Sequence, residues 1–119
     1  MFNRKKEVMN AKDVSLIQSW EYMTKTKDSL IVSVRRSIEA HEVLKYIANG
    51  KNKESLKEYA KTLANMVDMS MTNFTNAVTS YNKQLKETKT DRLYTLEYEE
   101  YSLTAQDVVI MAYRNYWKK

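Results

Sequence analysis

Hydrophobic residues recur at every third or fourth position over most of the chain, which is the period of an α-helix. The pattern predicts one continuous helix over about 11–48. Lys27 interrupts the stripe without changing its phase, so a break near residue 27 is the alternative. Asn49-Gly50 is expected to supply the left-handed conformation that commonly ends a helix. The stripe consists of Leu16, Ile17, Trp20, Met23, Leu30, Ile31, Val34, Ile38, His41 and Leu44.

A second stripe predicts a second helix. This helix starts after Asn52, or at Ser55, where Glu58 three residues later would complete a capping box. Residues 88–90, Thr-Lys-Thr, are predicted as the turn that follows it. The stripe is unbroken and consists of Leu56, Tyr59, Ala60, Leu63, Met66, Val67, Ser70, Phe74, Ala77, Val78, Tyr81 and Leu85.

The third predicted helix, over about 91–117, has an unusually wide apolar face. One row recurs every seven residues in a coiled-coil-like manner, and a second row runs beside it. A helix that packs in the groove between the other two would need such a face, as would one that contacts a second copy of the chain. The first row is Leu96, Leu103, Ile110 and Trp117; the second is Tyr94, Tyr98, Tyr101, Ala105, Val108, Ala112 and Tyr116.

These three segments predict an all-α fold. The chain has no proline and one glycine, so it lacks the residues on which β-hairpins depend. Short turns between long helices make neighbours antiparallel. We therefore predict an elongated antiparallel up-down-up bundle of three long helices, or four if the first breaks near residue 27. Residues 1–10 are expected to be a flexible basic tail, and 11–119 a single helical-bundle domain.

The amino-acid composition excludes several kinds of chemistry. The chain has no cysteine and one histidine, which excludes disulfides, thiolate catalysis and multi-histidine metal sites. Among metal sites, only one with oxygen ligands alone could remain. We predict no metal, no cofactor and no enzymatic activity. No window approaches the roughly 18 apolar residues of a membrane span. The first residues, MFNRKKEVMN, are basic but have no apolar run after them, so we expect no export signal and a cytoplasmic location.

The histidine follows an arginine at a spacing found in one family of helical ribonucleases. Within the stretch RRSIEAH of residues 35–41, Arg36 and His41 resemble the R-x4-6-H motif of HEPN-type nucleases, in which two protomers form a composite site. The resemblance implies a ribonuclease that uses these two residues. Five helical residues place the side chains about 140° apart, however, and His41 falls on the apolar stripe. We therefore expect a partly buried core histidine beside an exposed arginine, and keep the nuclease as the least favoured alternative.

Two surfaces are candidates for binding a protein partner. The stretch 62–82 contains no lysine or arginine and is rich in methionine, which adapts to irregular surfaces. Tyrosine and tryptophan concentrate in the third helix, and they suit both the filling of a groove and protein interfaces. The predicted partner-binding residues are Met69, Met71, Asn73, Tyr98, Tyr101, Tyr113, Tyr116 and Trp117.

The net charge of +5 permits binding to RNA or another polyanion, which is the first alternative. The residues that would carry it are Arg4, Lys5, Lys6, Lys12, Lys25, Lys27, Arg35 and Arg36. The function that we favour is a small non-enzymatic interaction protein, an accessory, inhibitor or assembly factor of a bacterium, a phage or another mobile element. Homodimerisation is also expected, because a three-helix rod with one wide apolar face leaves apolar surface uncovered.

Overall fold

The computed structural model describes residues 11–47, 50–89 and 98–118. They form three helices: α1 (Ala11–Ile47), α2 (Gly50–Lys89) and α3 (Ala105–Trp117). No strand occurs in these described ranges, so the predicted all-α class is confirmed. The structure measures 69 × 26 × 22 Å. The predicted tail of residues 1–10 lies outside the described residues.

The first helix is unbroken. α1 passes through residue 27 without interruption, so the alternative with four helices is wrong. Lys27 is half-buried on the apolar stripe, and its Nζ lies 5.7 Å from the centroid of the Tyr101 ring. A lysine can occupy such a position because its aliphatic stem packs against apolar neighbours while the ammonium contacts an aromatic face.

α2 is longer than predicted at both ends. Gly50 is its first residue, and no described residue has a positive φ, so the left-handed end predicted at Gly50 is wrong. Ser55 lies inside the helix, so it does not cap it. Thr88, predicted as a turn residue, is helical and buried, and its hydroxyl donates to the Gln84 carbonyl at 2.8 Å. This backbone bond lets a buried threonine satisfy its hydroxyl without leaving the helix.

α1 and α2 pack along most of their length. The Trp20 and Tyr81 rings lie 5.3 Å apart near one end, and the Ser33 and Ser70 hydroxyls form a 3.1 Å hydrogen bond near the middle. Early residues of α1 therefore meet late residues of α2. Two clusters form the interior. The larger consists of Leu16, Met23, Leu30, Val34, Ile38, Phe74, Ala77, Tyr81, Leu85, Ala105, Val108 and Ala112, and the smaller of Ala40, Ala60 and Leu63.

α3 is shorter than the predicted third helix. Residues 98–104 are not helical, and α3 starts at Ala105, so the prediction is wrong over 98–104. A capping box sets this start. The Thr104 Oγ1 accepts from the Asp107 N–H at 3.1 Å, while the Asp107 Oδ2 accepts from the Thr104 N–H at 2.9 Å. Two otherwise unpaired N–H groups are thereby satisfied at the helix end.

Several residues of the predicted stripes are exposed. In α3 the row with Ala105, Val108 and Ala112 faces the core, whereas Ile110 and Trp117 of the seven-residue row are exposed. Three further stripe residues, Tyr59, Met66 and His41, are exposed too. The prediction that His41 is partly buried is therefore wrong. Two helices in contact bury only a narrow stripe each, and the short α3 does not widen it along the whole hairpin.

Candidate interaction surfaces

Two of the predicted partner-binding tyrosines belong to an aromatic cluster in the interior. The Tyr98 ring stacks on Trp20, with centroids 5.6 Å apart and planes 14° apart. Tyr101 meets Phe74 edge-on at 6.0 Å. Both tyrosines are half-buried and pack against the larger core cluster, which leaves little of either side chain for a partner. Their apolar rings serve mainly to attach residues 98–104 to the α1–α2 pair.

Hydrogen bonds from α2 hold the same segment in place. The side-chain amide of Asn82 donates to the Tyr101 carbonyl at 3.0 Å and accepts from the Tyr101 N–H at 2.9 Å. The hydroxyl of Tyr81, which is fully buried, donates to the Glu99 carbonyl at 2.8 Å. These bonds fix the point from which α3 starts. The sequence does not single out Asn82, because an isolated asparagine in a helical pattern carries no signal of its partner.

The outward side of α3 exposes large apolar residues. We call Ile110, Tyr113 and Trp117 the α3 outer face, because steps of three and four place them on one side of the helix. Their exposed fractions are 48%, 52% and 49%. The Tyr113 and Trp117 rings meet edge-on with centroids 6.1 Å apart. Tyr116, also predicted for partner binding, is half-buried and packs against the core.

The methionine-rich stretch of α2 is not a single surface. Met69 is 65% exposed and Asn73 is exposed, whereas Met71 is half-buried against the core. Residues 69 and 71 lie about 200° apart around a helix, so their side chains leave it on opposite sides. The structure thus separates Met71 from the other two residues that were predicted to bind a partner together.

A groove runs between α1 and α3, and we call it the α1–α3 groove. Its volume is about 580 Å³. It brings together Arg35, predicted for polyanion binding, and Tyr116, predicted for protein binding. Its lining is both charged and apolar: Lys27, Ile31, Arg35 and Glu39 from α1, and Val108, Met111, Ala112, Asn115, Tyr116 and Lys118 from α3 and the residue after it.

A second groove, of about 550 Å³, lies beside the α3 outer face. Tyr113 and Trp117 form one wall, and α2 contributes Ala64, Val67 and Asp68. Its remaining lining residues are Val34, Ser37, Ile38, His41, Glu42, Lys45 and Val109. The apolar side chains of this groove extend the α3 outer face towards the α1–α2 pair.

The structure does not bring Arg36 and His41 together. Both are exposed on α1, and the Nδ1 of His41 donates to the Ser37 carbonyl one turn earlier at 2.8 Å. His41 lines the second groove, whose lining does not include Arg36. The side chains leave the helix about 140° apart, as the helical repeat requires.

Among the residues predicted for polyanion binding that the structure describes, Lys27 and Arg35 line the α1–α3 groove, whereas Lys25 and Arg36 do not. Lys25, Arg35 and Arg36 are exposed on α1. Arg4, Lys5, Lys6 and the side chain of Lys12 lie outside the described residues. Within the described part of the chain, three or more His, Asp or Glu side chains are nowhere grouped so as to hold a metal ion.

None of the described helices is long and apolar enough to span a membrane. No known protein family matches the sequence, and neither does any curated protein or solved structure.

Proposed function

We propose that this chain is a small non-enzymatic interaction protein that binds a protein partner through the α3 outer face. The observation that carries the proposal is the exposure of Ile110, Tyr113 and Trp117, each close to half-exposed, on a 13-residue helix whose other side packs in the core. Apolar surface of this kind is favourable to cover, since each Å² removed from water contributes roughly 25 cal/mol. Aromatic residues also dominate the binding energy of many protein interfaces.

The second groove supports this proposal. It adjoins Tyr113 and Trp117 and has an apolar floor that includes Ile38 and Val67. A side chain of a partner that enters the groove would be enclosed by residues of all three helices. The order of contacts along the chain supports the up-down-up arrangement, in which the outer face of α3 lies beside the last third of α1 and the first half of α2.

In this proposal the α3 outer face also binds a second copy of the chain, which is the homodimer expected from the sequence. An isologous dimer would cover the α3 outer face of both copies at once. Light scattering at increasing concentration tests it. A dimer that dissociates when Trp117 is replaced by alanine is the expected result, and a monomer at all concentrations would rule the homodimer out. The cytoplasmic location and the role as a bacterial, phage or mobile-element accessory stay predictions.

The experiment for the proposed function is a quantitative pull-down from a lysate of the native host, with the tag at the N-terminus to keep Trp117 free. Wild type and Tyr113→Ala are compared with Tyr22→Ala. Tyr22 is an α1 tyrosine that is 58% exposed, against 52% for Tyr113, so the two variants lose similar amounts of exposed surface. We expect a protein partner to be retained by wild type and Tyr22→Ala and lost from Tyr113→Ala. Equal recovery by all three would contradict the proposal.

The pull-down also separates the two alternatives. Binding to a polyanion predicts recovery of nucleic acid that declines steeply with salt, because affinity then depends on the release of counterions. A partner held by the α3 outer face survives high salt, since its contacts are mainly apolar. The ribonuclease alternative predicts that His41→Ala abolishes RNA cleavage while the helical circular dichroism signal is unchanged.

A further inference from the structure

The α1–α3 groove lies on the opposite side of α3 from Tyr113 and has a regular wall. Lys27, Ile31, Arg35 and Glu39 follow one another at intervals of four residues, so they form one line along α1. Met111 and Tyr116 face this line from α3. The Lys27 and Arg35 positions are about 12 Å apart along the helix axis, at 1.5 Å per residue.

The charges in this groove are unbalanced. Three cationic side chains line it, those of Lys27, Arg35 and Lys118, against the single carboxylate of Glu39. The salt bridge recorded between described residues, Lys45 with Glu42 at 3.1 Å, lies outside the groove. Arg35 is exposed, so its guanidinium is available for a bidentate contact with a carboxylate.

The apolar part of the groove lies between the two main cations. Ile31 is half-buried midway between Lys27 and Arg35, and Met111 of α3 is 45% exposed. A uniformly charged phosphate backbone would leave this apolar strip uncovered and would be repelled by Glu39. An amphipathic helix suits the lining better, because its side chains also recur every four residues along one face.

We infer that the α1–α3 groove binds an acidic amphipathic helix of a partner protein. The helix presents an apolar residue to Ile31 and Met111, flanked four residues away on each side by a carboxylate that contacts Lys27 or Arg35. Glu39, four residues beyond Arg35, favours a lysine at the corresponding end. The pattern is E-x3-L-x3-E-x3-K, or its reverse for the opposite helix direction. The inference rests on the proposed function only in taking the occupant to be a protein.

The test uses the full chain and fluorescein-labelled helical peptides that carry this pattern in each direction in an alanine–glutamine background. Fluorescence anisotropy should show saturable binding of at least one of them. A peptide with lysines in place of the two glutamates should bind more weakly, and so should one with serine in place of the leucine. Failure of both patterned peptides to bind, or equal binding of the control peptides, would overturn the inference.

Matched variants test the groove itself. Arg35→Glu should weaken binding of the patterned peptide at least about fivefold, because attraction becomes repulsion. Arg36→Glu makes the same change of charge on the neighbouring exposed residue, outside the groove lining, and should change the affinity less than about twofold. Met111→Ser should also weaken binding, whereas Met69→Ser should not. Similar effects of the two arginine variants would contradict the inference.

Two further readouts complete the test. The lysine-substituted peptide should bind Arg35→Glu better than it binds wild type, which a merely structural defect of that variant could not produce. A single-stranded RNA oligonucleotide that displaces the peptide and is itself lost with Arg35→Glu would instead make the groove a nucleic-acid site. If wild type fails to bind either patterned peptide but still captures a Tyr113-dependent partner, the groove alone is refuted. If wild type binds a patterned peptide but captures no Tyr113-dependent partner, the α3 outer face alone is refuted.

Discussion

Replacing Asn82 by alanine tests how residues 98–104 are held against α2. The substitution removes two hydrogen bonds to the Tyr101 backbone, of 3.0 and 2.9 Å. Each contributes about 0.5–1.5 kcal/mol net, so their joint loss costs about 1–3 kcal/mol in the free energy of unfolding. Alanine has the higher helix propensity, which offsets this loss by up to about 0.7 kcal/mol. The matched control is Asn73→Ala, an exposed asparagine of the same helix that gains the same propensity.

The assay is urea unfolding followed by circular dichroism. With a slope of about 1–3 kcal/mol per M of urea, the midpoint of Asn82→Ala should lie about 1 M below that of Asn73→Ala. Because the propensity gain cancels between the two variants, the difference measures the Asn82–Tyr101 contact. If the two midpoints coincided, this side chain would not hold residues 98–104 against α2, and the explanation for how that segment is attached would be wrong.

Three further predictions concern the packing and the capping of the helices. Phe74→Ala, at a fully buried core position, should lower the free energy of unfolding by about 3–5 kcal/mol, whereas Met69→Ala at an exposed position should change it by less than about 0.5 kcal/mol in the same urea titration. Ser33→Ala should lower the free energy of unfolding by about 1 kcal/mol. The double variant with Ser70→Ala should lower it no further, because no half-buried hydroxyl is then left without its partner. A double-mutant cycle measures this coupling, and additive losses would contradict it. Thr104→Ala should cost about 0.5–2 kcal/mol and lower the helical circular dichroism signal, and an unchanged signal would show that the capping box does not start α3.

The sequence is sufficient to predict the features that depend only on residues close together along the chain. The helical period predicts a first helix over 11–48, and α1 spans Ala11–Ile47. It also predicts five core residues of that helix that the structure buries, namely Leu16, Met23, Leu30, Val34 and Ile38. These predictions succeed because a repeat of 3.6 residues places side chains three and four positions apart on one face, whatever the rest of the fold.

The third helix shows where local patterns mislead. Tyr98 and Tyr101 have helical spacing but lie in a non-helical segment, where both rings contact Trp20. The sequence did contain a signal for the true start. Thr104 and Asp107 form the T-x-x-D pattern that precedes an apolar run in a capping box. The wide apolar face predicts one long helix, but the part of it in residues 98–104 belongs to the segment that precedes α3.

The helical period is enough to predict the all-α class, the long first helix and the residues that this helix buries. The packing of the helices sets which apolar residues of α3 stay exposed and which charged side chains line the α1–α3 groove. The sequence predicts Arg35 for polyanion binding and Tyr116 for protein binding, whereas in the structure both line the same groove. The hydrophobic period in a sequence depends only on the geometry of a single helix, so it shows which side chains share a face of that helix. The surface that a partner meets depends on how segments some 80 residues apart pack against one another.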